Sequence, residues 1–120
     1  MKGAPERILK RCSKILINGR EEEFNKKLRD EVDKANSDFG KLGERVLAFA
    51  MCKLDSDKYT KDYKFDLKNW KSWGLDANKT TADYENIPGS CPMHNLTLVG
   101  IVSLNDPPRP KVDLSVEKCR

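Results

Sequence analysis

Long apolar runs are missing from this sequence. No stretch of about 18 consecutive apolar residues occurs, so no membrane-spanning helix is expected. The opening Met1-Lys2-Gly3-Ala4-Pro5-Glu6 has no apolar segment behind its charge and does not read as a secretory signal. Closely spaced cysteine pairs are missing too. Cys12, Cys52, Cys91 and Cys119 lie far apart and no CxxC occurs, which argues against a zinc ribbon or a redox pair. Free thiols in a reducing compartment are expected. There is one histidine, His94, and with Cys91 it does not make up a ligand set, so no metal is expected. Leu, Ile, Val and Phe together number only 27 of 120 residues. That is just above the level at which disorder becomes the default, so a core is expected, but a thin one. A single-sign charge excess is also absent. The 23 basic and 19 acidic residues leave a net charge of only +4. The length suits one domain or a part of one.

Periodicity and turn chemistry then place the elements. Pro5 fits the first turn of a helix, and Ile8, Leu9 and Cys12 give it a short apolar face. Ile15-Leu16-Ile17 reads as a strand, and Asn18-Gly19 as the turn of a hairpin into a polar edge strand, Arg20 to Phe24. Phe24, Leu28, Val32, Ala35, Phe39 and Leu42 form one stripe of an amphipathic helix, ended by Gly40 and Gly43. Val46 to Leu54 is apolar on both faces and predicts a strand covered on both sides. Asp55 to Asn95 is polar and aperiodic, a long and partly mobile excursion holding Trp70 and Trp73. Leu96 to Leu104 is a second apolar strand, stopped by Asn105-Asp106-Pro107-Pro108-Arg109-Pro110. Val112, Val116 and Cys119 begin a last helical face. The bare start and the helix at the end are expected of a segment of a longer polypeptide.

Three segments carry chemistry. Lys2-Gly3-Ala4-Pro5 reads as a turn ahead of a helix, where a lysine and a position without a side chain admit an anionic ligand. Arg45 opens the strand after Gly43-Glu44, and is either a phosphate contact or the partner of Glu44 or another acid. Asp106-Pro107-Pro108-Arg109 is a rigid corner, either an ordinary connector or an interdomain hinge. Arg7, Lys10, Arg11 and Lys14 recur at helical spacing. With Trp70, Trp73 and Tyr84 they would suit a small basic interaction module that binds nucleic acid or an acidic protein. A solvated helix face is the plainer reading. Asn78 and Asn95 head glycosylation sequons by pattern alone.

Several of these segments, in this order, resemble P-type cation-transporting ATPases. Met1 to Leu9 carries KGAPE. Arg11-Cys12-Ser13, Gly43-Glu44-Arg45-Val46-Leu47, Tyr63-Lys64-Phe65-Asp66, Leu98 to Ser103 with Asp106-Pro107-Pro108-Arg109, and Glu117-Lys118-Cys119-Arg120 follow. The spacing is similar to that in alpha subunits of sodium/potassium or proton/potassium pumps, over residues 1–54 and 96–120. The resemblance implies an α+β fold, part of an antiparallel sheet flanked by helices. It implies that residues 1–104 are the C-terminal portion of a nucleotide-binding domain, with an insertion at about 67–90. Residues 105–120 would be the hinge and the start of the phosphorylation domain.

It further implies that Lys2, Gly3, Ala4 and Arg45 bind ATP. Lys2 would lie near the adenosine and Arg45 on the phosphate or ribose side. Asp106, Pro107, Pro108 and Arg109 would position the nucleotide domain. ATP is the implied ligand, with Mg2+ in the full-length parent. The remainder of the nucleotide-binding domain and the phosphorylation domain are the implied partners, with no nucleic acid and no membrane insertion of this segment. The parent would hydrolyse ATP and exchange Na+/K+ or H+/K+ from the cytosolic face of the plasma membrane. The DKTGT, TGES and GDGxND motifs are absent here, so no catalytic residue is expected and the segment alone cannot run a pump cycle.

Overall fold

The computed structural model describes residues 1–68, 88–105 and 107–120. The implied insertion at 67–90, Trp70, Trp73, Tyr84, Asn78 and Asp106 of the implied hinge thus lie wholly or largely outside the described residues. The architecture is α+β. Short strand β1 (Lys2–Gly3) leads into helix α1 (Pro5–Ile8) and a 3-10 turn (Leu9–Arg11). Strands β2 (Cys12–Ile17) and β3 (Arg20–Glu23) form a hairpin, followed by helix α2 (Lys26–Lys41) and strand β4 (Arg45–Met51). Strand β5 (Leu96–Leu104) and helix α3 (Val112–Cys119) complete the described chain.

Local chemistry fixes several of these boundaries. Pro5 occupies the start of α1, where a missing N–H has no cost. Asn18 and Gly19 have φ of 50° and 78°, the positive pair that a two-residue hairpin of this twist needs. The Asn25 side chain caps α2 by accepting the Leu28 N–H at 3.0 Å. At the other end Gly43, with φ of 73°, donates to the Gly40 carbonyl while Glu44 donates to Phe39. These two bonds satisfy the last carbonyls of the helix, and the positive φ is why a glycine stands there. Gly40 itself lies within the helix.

The described strands form one five-stranded sheet in the order β1-β4-β5-β2-β3. Three ladders are antiparallel, but β2 and β5 pair in parallel. The sheet is therefore mixed, not purely antiparallel. The reason lies in the path of the chain. β2 and β5 are separated by α2, β4 and the long excursion, so no tight turn dictates their relative direction. A bulge in β5 adjusts the faces. Phe49 pairs with Gly100 and Ala50 with Leu98, leaving Val99 as the extra residue. Without it Leu98 and Ile101, three apart, would point to opposite faces. With it both face the core.

That core lies on one side of the sheet. Ile8, Leu9, Cys12, Phe24, Ala48, Ala50, Leu96 and Leu98 are buried there, with Ile15, Leu28, Val32 and Ile101 packed around them. The α2 stripe supplies Leu28 and Val32. Phe24 precedes the helix, and Leu42, at 72% exposed, falls beyond the packed turn. The second face of β4 is not covered as its composition predicted. Phe49 and Met51 are 36% and 37% exposed. Apolar residues on both faces of a strand record two surfaces suited to burial, and among the described residues only one has its cover.

The excursion is anchored at both described ends. Tyr59, Tyr63 and Phe65 pack edge-to-face and stacked, with centroids 4.9 to 6.4 Å apart. The Tyr63 hydroxyl donates to the Ser90 carbonyl at 2.6 Å, and the Asp66 N–H to the Gly89 carbonyl at 2.8 Å. No helix among the described residues is long and apolar enough to cross a membrane.

Candidate functional site

Lys2 and Gly3 form an edge strand, not a turn. Lys2 pairs with Phe49 and Gly3 with Ala48. The ladder continues through Met1, whose amino group donates to the Ala50 carbonyl at 2.7 Å and whose carbonyl accepts the Ala50 N–H at 2.9 Å. Directly paired residues share a face, so Lys2 stands with Phe49 on the face away from the helices, and Gly3 lies on the packed face. A Cβ added at Gly3 would meet Ile8 Cδ1 at 3.5 Å, an ordinary contact. Ala4 follows and starts the helix, its carbonyl accepting the Arg7 and Ile8 N–H groups at 3.0 and 3.1 Å.

Side chains alternate along a strand, so Phe49, Leu47 and Arg45 project from the same face as Lys2. Their partners on β5 are Gly100, Val102 and Leu104. The result is an apolar floor of Phe49, Leu47 and Val102 with a basic side chain at each end. Four residues separate Phe49 from Arg45, which is about 13 Å along the strand. Lys2 and Arg45 are exposed, as are Phe49 and Val102. Near the Lys2 end, Met1, Lys2, Phe49, Ala50 and Val99 line a cavity of about 470 Å³. Gly100 leaves the floor open where a side chain would stand: no atom lies within 4 Å of a Cβ built there.

The remaining implied residues gather at the Arg45 end. Arg45 pairs with Leu104, the last residue of β5, so the segment that carries Pro107, Pro108 and Arg109 departs beside it. Both prolines and Arg109 are exposed, and the Arg109 carbonyl accepts the Val112 N–H at 3.2 Å. Lys111, with φ of 68°, turns the chain into α3. The structure thus brings Arg45 beside the start of the segment that carries Pro107, Pro108 and Arg109, and sets Lys2 at the far end of the same face. Leu47, Phe49 and Val102 were not singled out from sequence. Their signal was the alternation Arg45, Leu47, Phe49, Met51, which the reading of a doubly covered strand obscured.

The basic stripe does not exist as a helix face. Arg7 belongs to α1, Lys10 and Arg11 to the 3-10 turn, and Lys14 to β2. The chain turns from helix to strand at Cys12, which breaks the helical spacing. Arg11 Nη1 donates to the Met93 carbonyl at 3.4 Å, and Lys14 lies 4.0 Å from Glu21. Glu21 also accepts the Thr97 hydroxyl at 3.1 Å. Among the described residues no three His, Cys, Asp or Glu side chains converge in a way that could hold a metal ion.

Comparison with known proteins bears on this geometry. The family described as P-type ATPase, cytoplasmic domain N matches residues 1–111. The whole chain is 42% identical to the sodium/potassium-transporting ATPase subunit alpha of Drosophila melanogaster and 38% identical to that of Tetronarce californica. It is 41% identical to the alpha-2 subunit from Homo sapiens. In each case the match takes in all of this chain and 10% of the relative. With a mixed α+β sheet and a family match over residues 1–111, this chain belongs to the P-type ATPase cytoplasmic N-domain family.

Proposed function

We propose that residues 1–104 form the C-terminal portion of a nucleotide-binding domain, that residues 105–120 lead through a hinge into a phosphorylation domain, and that the chain holds ATP on the open face of its sheet. One observation carries this reading: Lys2 and Arg45 share that face, at opposite ends of the floor made by Leu47, Phe49 and Val102. An elongated ligand with an apolar base at one end and phosphates at the other matches such a surface. Lys2 stands at the adenosine end with the Gly3 and Ala4 backbone beside it. Arg45, with its planar fork of donors, stands toward the ribose and phosphates.

The chemistry of this portion is positioning. Phosphoryl transfer is accelerated largely by orientation and charge, and a side chain can supply both without forming a bond to the substrate. Asp106, Pro107, Pro108 and Arg109 are the segment about which the nucleotide is carried toward the phosphorylation domain. The full-length parent would hydrolyse ATP and couple it to Na+/K+ or H+/K+ exchange at the cytosolic face of the plasma membrane. Mg2+ would accompany the nucleotide there, and no set of ligands for it converges among the described residues. The exposed Phe49, Val102 and Leu104 fit a surface that the remainder of the nucleotide-binding domain covers.

An amide NMR titration of the purified chain with ATP, and with GTP as control, tests the reading. ATP-selective shifts at Gly3, Ala4 and Arg45 are expected. Dispersed peaks that ignore both nucleotides, or respond to both alike, would overturn it.

A further inference from the structure

Gly100 stands in the middle of β5, the strand between β4 and β2. Glycine inside a strand costs stability relative to alanine and offers the sheet no side chain to pack. Three demands within a fold can call for it, and none applies here. A left-handed backbone is one, but the glycines with positive φ among the described residues are Gly19, Gly43 and Gly89. The bulge at Val99 is another, and it asks for glycine only in that same left-handed conformation. A crowding neighbour is the third. Apart from the residues next to it in the chain, no described atom lies within 4 Å of a Cβ built at Gly100. What remains is something outside the described residues that comes close to this backbone. Gly100 pairs with Phe49 and Phe49 with Lys2, so the three form one row across β5, β4 and β1 on the open face. The row spans two strand spacings, about 10 Å. The missing side chain is a gap in the apolar floor, bounded by Phe49 across the ladder and by Val102 along the strand.

We propose that Gly100 is a specificity-determining residue of this face: its bare backbone is the clearance that lets the flat base of the nucleotide lie against β5. This rests on the reading that the open face holds ATP. A flat ring gains its contact over its whole area at once. A single methyl group beneath it lifts the ring from the floor, and a gap of about 0.5–1 Å already forfeits a quarter to a half of the dispersion attraction. The triphosphate extends toward Arg45, away from this row, and is indifferent to the change. Gly100 therefore acts on the base alone, whereas Arg45 acts on the phosphate side. The stability that a larger residue would bring to β5 is given up for the fit of the ligand.

Amide NMR titrations of the purified chain with adenosine, ATP and inorganic tripolyphosphate, read with urea unfolding, test this on wild type, Gly100→Ala and Gly100→Val. Gly40→Ala, in α2, is the control. Stacking a base is worth a factor of about 5 to 150 in affinity. Gly100→Val should weaken adenosine and ATP alike by about tenfold or more, with Gly100→Ala between, and tripolyphosphate should bind as before. Both variants should raise the urea midpoint, since each replaces a strand glycine in open space. Gly40→Ala should also raise it and leave all three ligands alone. If Gly100→Val fails to fold, Gly100→Ala decides. Adenosine binding that is equal in wild type and both Gly100 variants would overturn this role and leave the nucleotide reading standing. A lower urea midpoint in Gly100→Ala would overturn it as well, because the glycine would then serve the sheet. So would an equal loss of tripolyphosphate. A wild type without ATP-selective shifts would overturn the nucleotide reading and this role with it.

Discussion

The guanidinium of Arg29 lies 4.3 Å from the centroid of the Phe24 ring, one residue to either side of the first turn of α2. With Asn25 as the cap, these residues hold the two positions at which an apolar pair commonly staples a helix start. Here a cation replaces one apolar partner, and it does more than stack. Its Nε donates to the Phe24 carbonyl at 3.1 Å, Nη1 to Leu9 at 3.0 Å and Nη2 to Cys12 at 2.6 Å. One side chain thus closes three carbonyls at the junction of the 3-10 turn, β2 and α2. Charged hydrogen bonds contribute about 1.5–3 kcal/mol each, less where water can substitute. Arg29→Ala is expected to destabilise the chain by about 3 kcal/mol in total, read by urea unfolding. Arg29→Lys should recover under half of it, since a point charge cannot reach three divergent acceptors. Equal stability of all three proteins would remove the clamp from the fold.

Gly89 closes the base of the excursion. Its φ is 77°, and a Cβ there would lie 2.8 Å from Asp66 Cβ and 2.9 Å from Asp66 N. Its carbonyl accepts the Asp66 N–H. Gly89→Ala combines the left-handed penalty of about 1–2 kcal/mol with a clash against backbone that cannot swing away. Asp66 amide exchange should accelerate by roughly thirtyfold or more, the equivalent of about 2 kcal/mol. The β4–β5 amides should be little affected. Unchanged exchange at Asp66 would show that the two ends of the excursion are not joined there.

How much of this was readable in advance depends on the range of the interaction. Asn18-Gly19 turns as expected because its geometry is a property of two residues. Leu96–Leu104 matches its predicted bounds because a run of apolar residues and a double proline are both local. Arg29 could not be picked out. It sits among polar neighbours, and two of its acceptors lie 17 and 20 residues away. The β2–β5 pairing is the extreme case, joining Ile15 to Leu98. For the candidate site, Lys2 and Arg45 stood out by motif, but their common face followed only from the Lys2–Phe49 register.

Cys12 should make stability depend on pH in the alkaline range. The thiol is buried and donates to the Ile8 carbonyl at 3.3 Å. Burial pushes its pKa from 9.0 up to about 11, against the opposing pull of Arg29. Below pH 9.0 the thiol is protonated in both folded and unfolded chains and contributes no slope. Between 9.0 and about 11 the unfolded chain ionises first, so stability falls as pH rises, by on the order of 2 kcal/mol. Urea unfolding across that range should show the fall in the wild type and a flatter profile in Cys12→Ala, whatever the cavity costs at neutral pH. Parallel profiles would mean that the thiol titrates normally.

Arg45 provides the most direct functional test. It opens β4 on the face it shares with Lys2, and its strand partner Leu104 ends β5, just ahead of the Pro107–Arg109 segment. If it contacts the phosphate side of a nucleotide, removing it forfeits a charged hydrogen bond of about 1.5–3 kcal/mol. Since about 1.4 kcal/mol is tenfold in affinity, Arg45→Ala in the complete nucleotide-binding domain should weaken ATP binding by roughly tenfold or more. Adenosine affinity should hardly change if, as proposed, its base lies at the Lys2 end of the floor. Arg45→Lys should fall between, keeping the charge and losing the fork. Calorimetric titration with both ligands measures this. An equal loss for adenosine and ATP would place Arg45 at the ribose, and unchanged ATP affinity would take it out of the pocket altogether.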